Sequence, residues 1–482
     1  MPIGLTDYNS KSLADIGSGG IKKIKERLDF DDTRRKVTEF VKNDDRFNVT
    51  KESFDHNRDN SRESYREKMA YYQSNIRSYL VSQGIETVIE EDGVRRIISP
   101  EEVSERLAAM FVGFSVLEGA MNDPEITDIY CMSHNKIFVE KDGTNVRWPI
   151  NFQNEKEYRD FVDKLLRVNG KQLDQGTSAI SDFEVYGNRG NAIHSCLNED
   201  GYALTLRKHN EIPISLEMMI DHSKSGSLIT WDIADMIGLL IKGETNIIIA
   251  GSTGSGKTTT MRALLDYYVP AYNKRTLVIE DTPELFLKNP HTLALHTKKT
   301  DDKSTSVTLY DLIITALRLK PKYIVVGEVR GAEAEAAVEA MATGHSTIFS
   351  MHAGKPIDTV NRLVTKYLMQ MPSLGTDVVE RIIGAAVNFI IVQDDIRGIG
   401  RRITSISEIG YDYEKKRVTI TPVVSFNFKT KDWSWHNTLS EEVKDTMLRR
   451  GVSTEELDAL EDKMKRYIAR DKEEGLVMAD RR

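Results

Sequence analysis

The sequence predicts an α/β protein: a mostly parallel sheet with helices packed on its faces, preceded by a smaller α+β domain. Three observations point there. Beyond Thr230, apolar runs at 246–250, 275–280, 323–327, 346–351 and 388–392 alternate with helical segments, and their near-continuous hydrophobicity suits strands buried on both faces. Ahead of them, short strands are expected at 126–132, 136–140, 191–197 and 202–208, around a helix at 155–168 whose Tyr158, Phe161, Val162, Leu165 and Leu166 share a face. Finally, the run at 246–250 leads straight into a glycine-rich loop and then a helix.

Taken in order, residues 1–98 carry mixed charge, with runs at 31–36 and 56–68, and read as a solvated, mainly helical extension. A helix starts after Ser99, whose hydroxyl can cap it while Glu102 reaches back and Pro100 sits in the first turn; Val103, Leu107, Met110, Phe111, Phe114 and Leu117 then fall on one face. The α+β domain occupies 99–209, with a turn at Asp142 and Gly143. A linker with a short helix follows at 210–229, marked by Pro213 and the pair Ser225 and Gly226. The core runs from 230 to 430. Its helix after the glycine loop is expected to stop at Pro270, and it closes with antiparallel strands at 404–409 and 417–428. Residues 431–482 form a charged helical tail, whose last helix opens on a capping box, Ser453 with Glu456.

Composition excludes several classes. With 482 residues, 40% hydrophobic and 29% charged, the chain is globular and has material for about three domains. Lys and Arg number 66 against 74 Asp and Glu, a net charge of −8, which argues against wrapping nucleic acid. Cys131 and Cys196 make neither a disulfide framework nor a metal-ligand spacing, and fit a reducing cytoplasm. No apolar run approaches the ~18 residues that a membrane span needs, and residues 1–23 contain no secretory apolar block, so any membrane role is expected to be peripheral.

The chemistry concentrates at strand ends. Gly251, Ser252, Thr253, Gly254, Ser255, Gly256, Lys257 and Thr258 spell G-x-x-x-x-G-K-T between a strand and a helix, and Thr259 follows. In this arrangement backbone N–H groups converge on a β-phosphate, the lysine reaches the β and γ oxygens, and Thr258 can ligate Mg²⁺. Glu280 ends the next strand, followed by Asp281 and Glu284, and is placed to polarise an attacking water; the other reading is an acidic helix start. Glu328 ends the strand at 323–327, where an acid can hold metal-bound water; otherwise it is a surface acid at a strand end. His345 and His352 bracket the strand at 346–351. Seven positions apart, they lie at opposite ends and on opposite faces, so they do not clamp one metal, and either alone reads as structural.

Four blocks in this order resemble the type II/type IV secretion ATPase superfamily, the motors of pilus and archaellum assembly and of type II and type IV secretion. They are the phosphate loop Gly251 to Thr258, the aspartate box Val278 to Leu285, Ala316 to Arg318 with Tyr323 to Gly331, and the histidine box Thr343 to Ala353. The resemblance covers about 123–428. It implies a RecA-like core that binds ATP and Mg²⁺, with Glu280 as catalytic acid, Glu328 on the Mg²⁺ side, and His345 and His352 coupling nucleotide state to neighbouring parts. It also implies that the N-terminal domain delivers arginines to the nucleotide, for which Arg189 and Arg207 are the candidates. Lys322, where the family often has Asp, and Gly354, where Asn or Asp is usual, depart from the pattern. The implied protein is a hexameric cytoplasmic ATPase at the inner face of the membrane, partnered by a polytopic platform protein. A nucleic-acid motor on the same core and a nucleotide-gated scaffold with little turnover are the alternatives; the net charge and the two carboxylates count against them.

Overall fold

A computed structural model describes residues 26–44, 47, 61–91, 93–141, 144–176, 178–208, 214–220, 227–298 and 304–473. The expected turn at Asp142 and Gly143, and half of the expected linker, including Pro213, Ser225 and Gly226, lie outside the described residues. The chain divides into two compact units, Met1–Glu211 and Ile212–Arg482.

The described residues of the first unit begin with β1 (Glu26–Asp29), α1 (Phe30–Asn43), α2 (Arg62–Gln83), β2 (Ile85–Glu91) and β3 (Val94–Ile98). The charged segment expected to be mainly helical therefore also holds a three-stranded sheet, with β1 parallel and β3 antiparallel to β2. Ile85, Thr87 and Ile89 alternate inward along β2, while β1 pairs with it across 59 residues of sequence, from Glu26 to Ile85. α3 (Pro100–Phe111) starts as expected at Ser99, whose hydroxyl accepts the Glu102 N–H at 3.2 Å. Glu102 does not complete the box; its carboxylate binds Arg96 and Arg106 instead.

After a short α4 (Glu118–Asn122) come β4 (Ile126–Ser133), β5 (Lys136–Lys141), β6 (Thr144–Arg147), α5 (Glu155–Arg167), β7 (Ile180–Val185), β8 (Asn188–Ile193) and β9 (Ala203–Arg207). The six strands form one antiparallel sheet in the order β6-β5-β4-β9-β8-β7. The strand expected at 191–197 is shifted: β8 ends at Ile193 and 195–197 form a 3₁₀ turn. Tyr158, Phe161, Val162, Leu165 and Leu166 of α5 are all buried in this domain's core.

The second unit contains α6 (Leu216–Ile220), α7 (Trp231–Lys242), β10 (Ile247–Gly251), α8 (Lys257–Tyr272), β11 (Thr276–Glu280), β12 (Thr292–His296), α9 (Leu309–Ala316), β13 (Tyr323–Val326), α10 (Glu333–Ala342), β14 (Ser346–His352), α11 (Pro356–Gln370), α12 (Thr376–Ala386), β15 (Phe389–Ile396), β16 (Gly400–Asp412), β17 (Arg417–Asn427), β18 (Asp432–Trp435), α13 (Glu441–Arg449) and α14 (Thr454–Glu473). Among the described residues, nine strands make one sheet, β12-β11-β13-β14-β10-β15-β16-β17-β18, parallel as far as β15 and antiparallel beyond it. Along β10, Ile247 and Ile249 enter one apolar cluster with α7 and α8, whereas Ile248 and Ala250 enter another with α9, α10, α11 and α12. That two-sided burial is why the strand reads as an unbroken apolar run.

Two expectations for this unit change. α8 continues past Pro270 to Tyr272 and ends at Asn273, φ 45°; one missing backbone bond in the last turn does not end a helix whose inner face is buried. The residues expected as a charged tail extend the core: β18 joins the sheet, and Val443, Met447, Leu457, Leu460 and Met464 bury against the α7–α8 face. The capping box at Ser453 is reciprocal, with Ser453 N donating to Glu456 and Glu456 N donating to Ser453 Oγ.

Candidate functional site

Because β10, β11, β13, β14 and β15 are parallel, their C-terminal ends share one edge of the sheet, the edge at which open α/β sheets bind ligands. The glycine loop emerges there. Gly254 and Gly256 take φ of +78° and +91°, a region other residues avoid. Gly251 is required for a different reason: a β-carbon there would lie 2.1 Å from the Gln393 carbonyl oxygen. The loop hands over to α8 at Lys257, with Thr258 and Thr259 in the first turn.

Lys257 is buried, and its Nζ donates to Gly251 O at 3.2 Å and Ser252 O at 2.8 Å. It also lies 3.2 Å from His352 Nδ1. An ammonium only donates, so Nδ1 accepts and the imidazole proton sits on Nε2. That nitrogen is 2.8 Å from Glu328 Oε1, and the other Glu328 oxygen accepts from Arg330 at 2.6 Å. Lys257, His352, Glu328 and Arg330 thus stand in a row from the loop, with His352 and Glu328 in close electrostatic contact and not joined by an aligned hydrogen bond.

Electrostatics within this row are mutually adjusted. Burial lowers the proton affinity of Lys257, and the charge of Glu328 opposes it. Burial, then Lys257, pushes His352 below the usual histidine value, which keeps it neutral. Burial alone would raise Glu328, but the hydrogen bond and charge of Arg330, with help from His352 and Lys257, hold its carboxyl below the usual range. Glu328 is therefore an anion at neutral pH.

Glu280 ends β11, one strand beyond β13, and is buried. Its Oε1 accepts the N–H groups of Glu284 and Leu285 at 3.1 and 3.2 Å, so no acidic helix starts there and the carboxylate organises the loop that follows it. A β-carbon on Gly327 would stand 3.0 Å from Glu280 Cγ; the glycine before Glu328 leaves room for the neighbouring carboxylate. Asp281 is exposed and accepts from Thr297.

His345 is not brought to this edge. It precedes β14, at the opposite end of a seven-residue strand, about 23 Å from His352 at 3.3 Å per residue. There its Nδ1 lies 3.2 Å from Thr343 Oγ1, in a polar cleft with Glu244, Asn246 and Arg450. Arg189 and Arg207 belong to the first unit, where they are directly opposed on β8 and β9. Arg207 Nε donates at 2.8 Å to Asp128 of β4, a buried partner that the sequence reading did not single out. Gln393 and Asp394 were also missed: Gln393 Nε2 donates to Ser255 O at 2.5 Å, and Ser252 Oγ donates to Asp394 Oδ1 at 2.6 Å. They follow the apolar run of β15 as Glu328 follows that of β13, so the strand-end signal was available.

A phosphate loop backed by a lysine, a histidine and two strand-end carboxylates on a parallel sheet defines a class of nucleotide-binding α/β proteins. Residues 203–481 match the family model described as type II/IV secretion system protein, and the chain belongs to that family. It is 32% identical over 276 residues to an uncharacterized protein of Methanocaldococcus jannaschii, covering 55% of this chain and 48% of that protein. The chain spans about half or less of the length of the two M. jannaschii relatives it matches, 48% and 39%. The type IV secretion system protein VirB11 of Brucella suis is 28% identical over 356 residues, 67% of this chain and 95% of VirB11. The crystal structure of the Brucella suis VirB11 ATPase aligns at 25% identity over 63% of this chain and 95% of that one, with a TM-score of 0.32. The core is a mostly parallel sheet with helices on both faces, as the sequence predicts, and a smaller α+β unit precedes it.

Proposed function

We propose that the chain is a Mg²⁺-dependent ATP hydrolase that works as a ring, a hexamer, and powers assembly of a pilus-like filament or protein secretion. The observation that carries this reading is the grouping of the phosphate loop, Lys257, His352 and Glu328 at one sheet edge, with Glu280 beside them. On nucleotide binding Lys257 exchanges the carbonyls of Gly251 and Ser252 for phosphate oxygens, and His352 registers the exchange through Nδ1. Glu280 orients and deprotonates the attacking water.

Thr258 and the anionic Glu328 offer the hard oxygen donors that suit Mg²⁺. Among the described residues no group of three or more His, Cys, Asp or Glu could hold a metal, which fits an ion that arrives with substrate phosphates. Bound there, it would neutralise charge on the β and γ oxygens. In the first unit, Arg189 and Arg207 are directly opposed on one sheet face, and Arg207 pairs with Asp128. Under this reading Arg189 and Arg207 act on the γ-phosphate, so that binding and release move the N-terminal unit.

VirB11 is a type IV secretion system protein, which supports a role beside a membrane machine and a polytopic membrane partner. The described residues contain no helix long and apolar enough to cross a membrane, which fits peripheral attachment at the cytoplasmic face. The net charge of −8 favours a protein cargo over nucleic acid. The test is ATP binding and phosphate release by the full chain and by Lys257→Ala. The variant should lose hydrolysis and bind ATP more weakly. Equal binding and turnover would remove the phosphate loop from the mechanism.

A further inference from the structure

The two neighbours of β10 divide the space around the phosphate loop. On one side, β14 and then β13 bring His352 and Glu328. On the other, β15 runs parallel with Gln393 opposite Gly251, then continues past the loop to Ile396. The chain turns through Gly398 and returns as β16, placing Arg401 opposite Asp395 and Arg402 opposite Asp394. Besides the contacts of Gln393 with Ser255 and of Asp394 with Ser252, Arg401 lies against the loop. A β-carbon built on Gly256 would be 3.5 Å from Arg401 Cδ and 3.9 Å from its Nε. The Arg401 side chain is 49% exposed, and its Nε is 3.7 Å from Asp395 Oδ2.

A triphosphate in the loop has a direction. Lys257, His352 and Glu328 fix its γ end toward β14 and β13, so the α-phosphate, ribose and base extend toward the β15–β16 hairpin. We propose that Arg401 is a specificity-determining residue that binds the ribose oxygens of a nucleoside triphosphate, beyond its phosphate chain, with Asp395 orienting its guanidinium. The inference rests on the nucleotide reading of the loop and adds to it a group that tells a nucleotide from a bare polyphosphate. Arginine suits the role because it keeps its charge and offers a planar fork of donors. The loose, exposed pairing with Asp395 is worth little by itself, so the fork can turn to a ligand.

The experiment measures dissociation constants of the full chain, Arg401→Ala and Arg401→Lys for ATP and for inorganic tripolyphosphate, each with Mg²⁺, by titration calorimetry. The expected result is that Arg401→Ala weakens ATP about ten- to a hundredfold, the scale of a charged hydrogen bond, while tripolyphosphate changes by less than about twofold. Arg401→Lys should recover part of the ATP affinity. ATP binding that is unchanged in Arg401→Ala, or a parallel loss for both ligands, overturns the assignment of Arg401 alone. Wild-type protein that binds neither ligand overturns the nucleotide reading and the assignment together.

Discussion

Replacing Glu280 by Gln separates the two tasks its geometry allows. In the fold, Oε1 accepts the N–H groups of Glu284 and Leu285, and Oε2 lies 3.4 Å from Leu285 N. Glutamine keeps one acceptor, which can retain the two shorter bonds, and turns an NH₂ toward the donor at 3.4 Å. The structural cost is the change from charged to neutral hydrogen bonds together with removal of the long, weak one, about 1 kcal/mol. For a unit of this size that is a fall in Tm of about 2–4 °C. The chemical cost is of another order: losing a general base costs about 10²–10⁴ in rate, or ~3–5 kcal/mol of barrier. Thermal unfolding, ATP titration and steady-state phosphate release on Glu280→Gln give the three readings. The account expects a slightly less stable protein that binds ATP normally and hardly turns over. Turnover within about threefold of wild type, with the small Tm decrease, would make Glu280 a loop-organising residue only and move the search to Asp281 and Glu284.

Two further predictions follow from the same edge of the sheet. His352 is depressed by burial and by Lys257, so below the unfolded value of about 6.5 the unfolded chain takes up a proton that the folded chain resists. The stability it contributes is present above that pH and is lost as pH falls through the folded value; His352→Gln should flatten the decline of Tm on acidification, and an unchanged slope would contradict the assignment. Gly251→Ala places a β-carbon 2.1 Å from a backbone oxygen of β15 and should cost more than ~2 kcal/mol, whereas Gly254→Ala, with open space but φ +78°, should cost only about 1–2 kcal/mol. Urea midpoints of the two variants decide, and equal losses would mean that the close approach of β10 and β15 is not what requires Gly251.

What the sequence made legible was local. The phosphate loop, the acids after the apolar runs of β11 and β13, and the two-sided burial of the parallel strands are all carried by contiguous residues. The opposite ends of β14 occupied by His345 and His352 were equally readable from their separation. The sheet of residues 26–98 was not, because β1 and β2 meet across 59 positions and their alternation is hidden among charges. β12 was missed as an edge strand: Thr292–His296 has no buried residue and so no inward apolar face. The C-terminal helices looked like a solvated tail because their polar residues form ion pairs with the core, Lys242 with Glu456, Arg450 with Glu244 and Lys463 with Asp232. Charge that satisfies partners is indistinguishable in sequence from charge that faces water. Gln393, Asp394 and Arg401 belong to a hairpin whose approach to the loop is set by sheet order, which no single segment encodes.

The most direct test of the ring-motor account is Mg²⁺-dependent phosphate release by the full chain across a range of protein concentrations, with light scattering on the same samples. An arginine delivered to a γ-phosphate from a neighbouring element can be worth about 10³–10⁵ in rate. Specific activity should therefore rise steeply with concentration and follow the oligomer. A monomer whose specific activity is already maximal, or an oligomer that releases no phosphate, would contradict it.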